Sequence, residues 1–155
     1  MNDFDIEKII REYIDKTLHM SLATVSGNKP WVCEVHFAYD EKLNLYWRSK
    51  KDRRHSQEIA SNSNVAGNIV QQHEVEQYPQ AIYFEGVSEI VEDESEIAEM
   101  AGLFIKRGLG DKSIVDEAKR DEGHKFYKVK VTNWYAFGKF GGVEGQKYSL
   151  PWSSK

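Results

Sequence analysis

The 155-residue sequence predicts a mainly β, α+β fold, a small antiparallel barrel with peripheral helices, on three observations. Apolar residues recur with a period of two over about six or seven short segments. Turn residues separate these segments at close spacing. The period changes to that of a helix in three places: at the start, after the third strand and after the fifth.

The elements follow in order. Ile6, Ile9, Ile10, Tyr13 and Ile14 lie at helical spacing among charged residues, so residues 4–17 are expected to form an amphipathic helix. Leu18, Met20 and Leu22 then share one face of a strand that ends at Ser26-Gly27-Asn28, a hairpin turn. In the next strand Trp31, Cys33, Val35, Phe37 and Tyr39 form the apolar, core-facing side, and Val32, Glu34, His36 and Ala38 the other. Leu43, Leu45 and Trp47 carry the pattern into a third strand ending at Arg48 and Ser49. Asp52 reads as the N-cap of a helix over residues 53–61, with Ile59 and Ala60 available for burial. Residues 65–70 and 81–91 read as strands around a polar stretch. Residues 94–107 read as a helix with Ile97, Met100, Ala101, Phe104 and Ile105 on one side. A charged connection with room for a short helix leads to a strand over residues 126–137 and then a glycine-rich loop, Gly138 to Gly145. No repeat or linker interrupts the chain, so residues 1–155 are read as one domain.

Composition narrows the function. With 40% hydrophobic and 12% aromatic residues the chain can bury a core without a disulfide or metal staple. The single cysteine, and an acidic start with no cationic and apolar leader, predict a cytoplasmic protein. No apolar run approaches the ~20 residues needed to span a bilayer, so no membrane association is expected. Five histidines and one cysteine without metal-ligand spacing predict no metal site. Walker, Gly-x-Ser-x-Gly and dinucleotide fingerprints are missing.

One charged feature stands out. The net charge is −4, yet Arg48 to His55 hold five Lys or Arg and one Asp. A compact cationic knot on an acidic chain suits a small anion better than a polyanion, so no nucleic-acid partner is expected. Its placement between a strand and a helix start outlines a phosphate site: backbone N–H groups, a hydroxyl and guanidinium groups. The alternative is a solvated loop in which Arg54 and Glu58 form an i, i+4 pair. From the residues alone both readings stand.

The order Pro30-Trp31-Val32-Cys33-Glu34-Val35-His36-Phe37-Ala38-Tyr39-Asp40, Leu45-Tyr46-Trp47-Arg48-Ser49, Arg53-Arg54-His55 and Ser61-Asn62-Ser63-Asn64-Val65-Ala66-Gly67 resembles the FMN-binding split barrel of the pyridoxamine 5′-phosphate oxidase family. It is most similar to short bacterial members of unassigned substrate, over most of residues 18–92. The resemblance implies FMN in a cleft between the two barrels of a homodimer. Cys33, Glu34, Val35, His36 and Phe37 would line the isoalloxazine edge, partly through backbone groups. Arg48 and Ser49 would reach the phosphate or ribityl chain, and Arg54 with His55 would hold the phosphate. Gln80 falls near a family glutamine that contacts the ring, and Trp134 would cover the cofactor from the partner subunit.

Two departures matter. His55 stands where the oxidase has a lysine, and the oxidase's Arg-x-His element has no counterpart in Gly141 to Tyr148, which argues against pyridoxamine phosphate as substrate. The leading expectation is a homodimeric FMN-dependent oxidoreductase acting on a small molecule, with a nicotinamide as one candidate electron donor although no nicotinamide motif is visible. His36 is the candidate acid or base. A second expectation is a module that holds FMN, heme or a deazaflavin without turnover. A single-stranded nucleic-acid-binding barrel is a third class, disfavoured by the acidic remainder and by aromatics placed on the core face.

Overall fold

The computed structural model describes residues 1–153. Helix α1 (Asp3–Asp15) begins in a capping box: the Asn2 side chain accepts from Asp5 N at 2.9 Å and the Asp5 carboxylate accepts from Asn2 N at 3.4 Å. Its buried stripe is Ile6, Ile10, Tyr13 and Ile14, as the helical spacing requires. Strands β1 (His19–Ser26) and β2 (Lys29–His36) form the predicted hairpin, with Gly27 at a φ of 58° supplying the left-handed turn residue. A break at Phe37 separates β2 from the two-residue β3 (Ala38–Tyr39), and β4 (Leu45–Ser49) follows. Helix α2 (Arg54–Ser61), β5 (Asn64–Ile69), β6 (Ala81–Ile90), α3 (Glu94–Lys106), α4 (Ser113–Lys119), β7 (Lys125–Phe140) and β8 (Val143–Pro151) complete the order.

All pairings are antiparallel, in the order β2-β1-β5-β6-β7-β4-β3, with β8 added to β7. The 16-residue β7 organises the sheet. Its first residues pair with β4 and its last with β8, and β6 runs along most of it with a register shift at Glu85 and Gly86. One core lies between α1 and the inner face and includes Met20, Leu22, Phe37, Leu45, Trp47, Phe84, Val129 and Trp134. A second lies where α3 and α4 cover the opposite face, around Tyr46, Met100, Phe104 and Phe126. Strand β4 is therefore buried on both faces: Leu45 and Trp47 belong to the first core, and Tyr46 to the second. That double burial pins Arg48 and Ser49 at its end.

Several expectations are corrected. Among the described residues there are eight strands, against about six or seven expected. The stretch expected to be a glycine-rich loop is a hairpin: Gly141 and Gly142, at φ 59° and 80°, turn β7 directly into β8. No residue of β2 is fully buried, and the core begins at Phe37, just beyond its end. Phe37 is fully buried, whereas Trp31 is 40% exposed and Cys33 is half-buried, because β2 is an edge strand beyond the reach of α1. Leu18 lies outside β1 and is exposed, as are Ala60 and Ile105 on their helices. The N-cap of α2 is Arg53, not Asp52, and no side chain caps that end. Trp134 is 0% exposed against Phe84, so its ring has no surface to present to a partner subunit.

Candidate functional site

The end of β4, the start of α2 and the outer face of β2 meet at a depression of about 390 Å³. Its lining includes Glu34, Val35 and His36 from β2, Arg48 and Ser49 from β4, and His55 from α2, six of the residues expected there from the sequence. Arg53, Phe104, Leu109 and His124 complete it. A cavity of this size is in the range that takes a small ligand.

His55 is the hinge of the polar wall. Its Nε2 lies 2.6 Å from Ser49 Oγ and its Nδ1 lies 3.1 Å from Cys33 Sγ, while the edge of Trp47 packs against the ring at 5.1 Å. Burial, and then the charge of Arg53, push the imidazole pKa below its ordinary value, and burial followed by Glu34 pushes the Cys33 thiol up. The resting triad is thus neutral. A neutral imidazole has one donor and one acceptor, so one of Ser49 and Cys33 donates to the ring and the other accepts from it.

Arg48 is the deepest cation, with a side chain 16% exposed. Its Nη2 donates to Glu117 Oε2 at 2.6 Å, its guanidinium lies 5.4 Å from the Phe126 ring centre, and its Nε is buried with no acceptor. Glu117 comes from α4, and its other oxygen accepts from His124 Nδ1 at 2.5 Å and from His124 N at 3.3 Å. Burial alone would raise this carboxyl, but the hydrogen bonds from His124 and Arg48 outweigh it and bring the pKa down to about 2.

Arg54 is turned elsewhere. Its Nε donates to Glu58 Oε2 at 3.1 Å and its guanidinium covers Trp31 at 4.2 Å, so the i, i+4 pair foreseen as the alternative is present. Arg53, one residue earlier, lines the depression in its place. Phe37 is too deep for its side chain to reach a ligand; its backbone N donates to Leu18 O at 3.0 Å. Gln80 lines a separate depression with Tyr13, Gln71 and Tyr78, and Trp134 is in the core. Glu117 and His124 carried no signal in the sequence: they come from the α4–β7 segment, far along the chain, and join no motif.

The glutamate beside Ser21 and the paired histidines are the remaining polar groups. Glu34 accepts from Ser21 Oγ at 2.9 Å, and the His36 ring lies 4.4 Å from that of His19. Burial and then His19 lower the His36 pKa, so at neutral pH it is a better proton acceptor than donor. A larger depression of about 930 Å³ lies between α1, β3 and α3. Several of its polar groups are matched, Tyr39 with Asp15, Tyr46 with Asp40, Lys128 with Glu96, and Arg107 with the Thr17 carbonyl, although Arg107 Nε is buried without an acceptor. The larger depression is lined by six carboxylates against five cations, whereas the smaller has Arg48 and Arg53 against Glu34 alone, which makes it the better anion site.

A family model described as pyridoxamine 5′-phosphate oxidase matches residues 6–138. The chain belongs to the pyridoxamine 5′-phosphate oxidase family. Among curated proteins none matches it. Solved structures with the same fold include the heme storage protein of Vibrio cholerae, at 19% identity and a TM-score of 0.71 over 87% of this chain and 96% of that one. General Stress Protein 26 of Bacillus anthracis superposes at 19% identity and a TM-score of 0.62 over 94% and 98% of the two chains. A heme binding protein of Mycobacterium smegmatis does so at 17% identity and a TM-score of 0.74, over 91% of this chain, which spans only 55% of that protein. At these identities the likeness shows the split-barrel fold. Among the described residues, no helix of this family member is long and apolar enough to cross a membrane.

The depression suits the phosphate end of a flavin mononucleotide on its donor set: two guanidinium groups, a buried hydroxyl and an imidazole beside the uncapped start of α2.

Proposed function

We propose that this family member is an FMN-binding flavoprotein, a homodimer that acts as an oxidoreductase on a small molecule. The observation that carries the reading is the convergence of Arg48, Ser49, Arg53 and His55 on one depression, with the Arg48 Nε buried and lacking an acceptor. Arg48 and Arg53 would neutralise the phosphate, Ser49 and His55 would give up their present bonds to each other or to Cys33 to donate to its oxygens, and the β2 residues Glu34 to His36 would flank the ring. FMN, when bound, supplies two-electron redox chemistry. The chain's own part is to orient the cofactor and, at His36 Nδ1 or Nε2, to accept a proton from a substrate placed over β2. The homodimer is part of this reading because Gln80, expected beside the ring, lies in a separate depression of the same chain and would have to reach the cofactor from the partner.

The test is a visible spectrum of the purified protein, followed by release of the chromophore with acid and its mass. A flavin spectrum and the mass of FMN are expected. The heme names among the structural relatives, together with the adjacent imidazoles of His19 and His36, favour heme as a second reading, since imidazole is an iron ligand. A heme spectrum would overturn the flavin reading. Anaerobic NADH or NADPH should bleach the flavin, and a chromophore that no reductant bleaches would reduce the protein to a holding module.

A further inference from the structure

Arg48 already grips an anion, and that anion belongs to the chain. Glu117 meets Arg48 through one oxygen only, because its other oxygen is taken by the ring and backbone of His124. A guanidinium is best matched when two of its N–H groups donate in parallel to two oxygens. Here the match is divided, and the Nε–H is left buried without an acceptor. Arg48 is therefore held short of its full complement and gains by turning toward a group that offers more oxygens.

Glu117 itself is fixed. A Cβ on Gly123 would lie 1.9 Å from the Glu117 carbonyl oxygen, so the backbone of the turn after α4 is pressed directly against the Glu117 residue. With His124 as a second partner, the carboxylate has somewhere to stay when Arg48 leaves.

Charge completes the argument. Arg48 is paired with Glu117 and Arg53 with Asp52, so exchanging Glu117 for a ligand carboxylate or a phosphodiester swaps one single charge on Arg48 for another. A phosphomonoester dianion brings a second charge and a third oxygen.

We propose that Glu117 is a specificity-determining residue of this pocket: its carboxylate stands in for the ligand's anionic group on Arg48, so that only a phosphomonoester displaces it. The inference rests on the phosphate reading of the pocket given above. Its rival is a plain staple, in which Glu117 does no more than fasten α4 to β4.

The experiment measures FMN and riboflavin affinity for the wild type, Glu117→Gln and Asp116→Asn. Glu117→Gln should tighten FMN by roughly 5- to 10-fold, a normal size for a coupling between sites, and leave riboflavin unchanged. Asp116→Asn removes the same charge from the exposed side of α4 and should change neither. Dimethyl phosphate should compete with FMN in Glu117→Gln only. A folded Glu117→Gln that binds FMN no more tightly than the wild type overturns the proposal and leaves the staple. Should that variant not fold, Glu117→Asp, which keeps the charge but withdraws it from Arg48, is read in the same way. If the wild type binds no FMN, the flavin reading fails by itself. Inorganic phosphate then replaces FMN, read on the His124 ring resonances: saturation at lower phosphate in the variant supports the proposal, and no saturable change in either protein overturns it.

Discussion

Arg53 and Arg54 are neighbours of identical chemistry, and the structure assigns them opposite work. Arg54→Ala removes the cation from Glu58, whose side chain is 7% exposed and otherwise receives one hydrogen bond, from Thr24 Oγ1 at 3.0 Å. Breaking a fully buried pair costs about 3–5 kcal/mol. Arg54 is 49% exposed, so solvent screens the pair and about 1–2 kcal/mol is expected. For a chain of this length that lowers the melting temperature by roughly 2–8 °C. FMN affinity should change little. Arg53→Ala should do the reverse, leaving the melting temperature within about 2 °C while removing a charged hydrogen bond worth about 1.5–3 kcal/mol. That is about 10- to 150-fold in FMN affinity. Thermal unfolding followed by circular dichroism and FMN titration by fluorescence measure both. If Arg54→Ala loses FMN at an unchanged melting temperature, the helical phase assigned to α2 is wrong and the depression is not the phosphate site.

Trp47→Ala should cost about 3–5 kcal/mol as a truncation of a fully buried side chain that stacks on Tyr127 at 4.3 Å. The same change should weaken FMN binding, because Trp47 also walls His55; a fall in stability with full affinity would uncouple the core from the site. His55 gives a pH dependence. Its folded pKa lies below the ordinary imidazole value, so below ~6.5 the unfolded chain takes up a proton that the folded chain resists. Stability should therefore be complete above that pH and fall as the pH drops through the folded pKa. His55→Gln should flatten this dependence, and an unaltered profile of melting temperature against pH would show that His55 is not its source.

Much of the architecture is written in local pattern. The spacing of Ile6, Ile10 and Ile14 makes α1 whatever surrounds it, and Gly27 turns the first hairpin because few other residues adopt its φ. The cationic knot was equally visible, since charge density along a chain needs no fold to be counted. Its position between a strand and a helix followed from the switch of period at Ser49, and Glu34 to His36, Arg48, Ser49 and His55 do meet there.

Burial was decided by tertiary structure. Alternation says that Trp31 and Phe37 share a face, but not that β2 is an edge whose first half lies outside the apolar core, with Arg54 over Trp31. The same ignorance of neighbours put Trp134 at a subunit boundary when two packed layers close over it. Which of two adjacent arginines enters the depression depends on about 100° of helical phase, set by where α2 begins, and a boundary one residue out exchanges them. Glu117 depends on the fold most of all. It reaches Arg48 from 69 residues away, and only the packing of α4 against β7 gives that pair its 2.6 Å contact. Short-range order is carried by each segment's own side chains, whereas partners for buried charge are chosen by whichever surfaces the folded layers bring together.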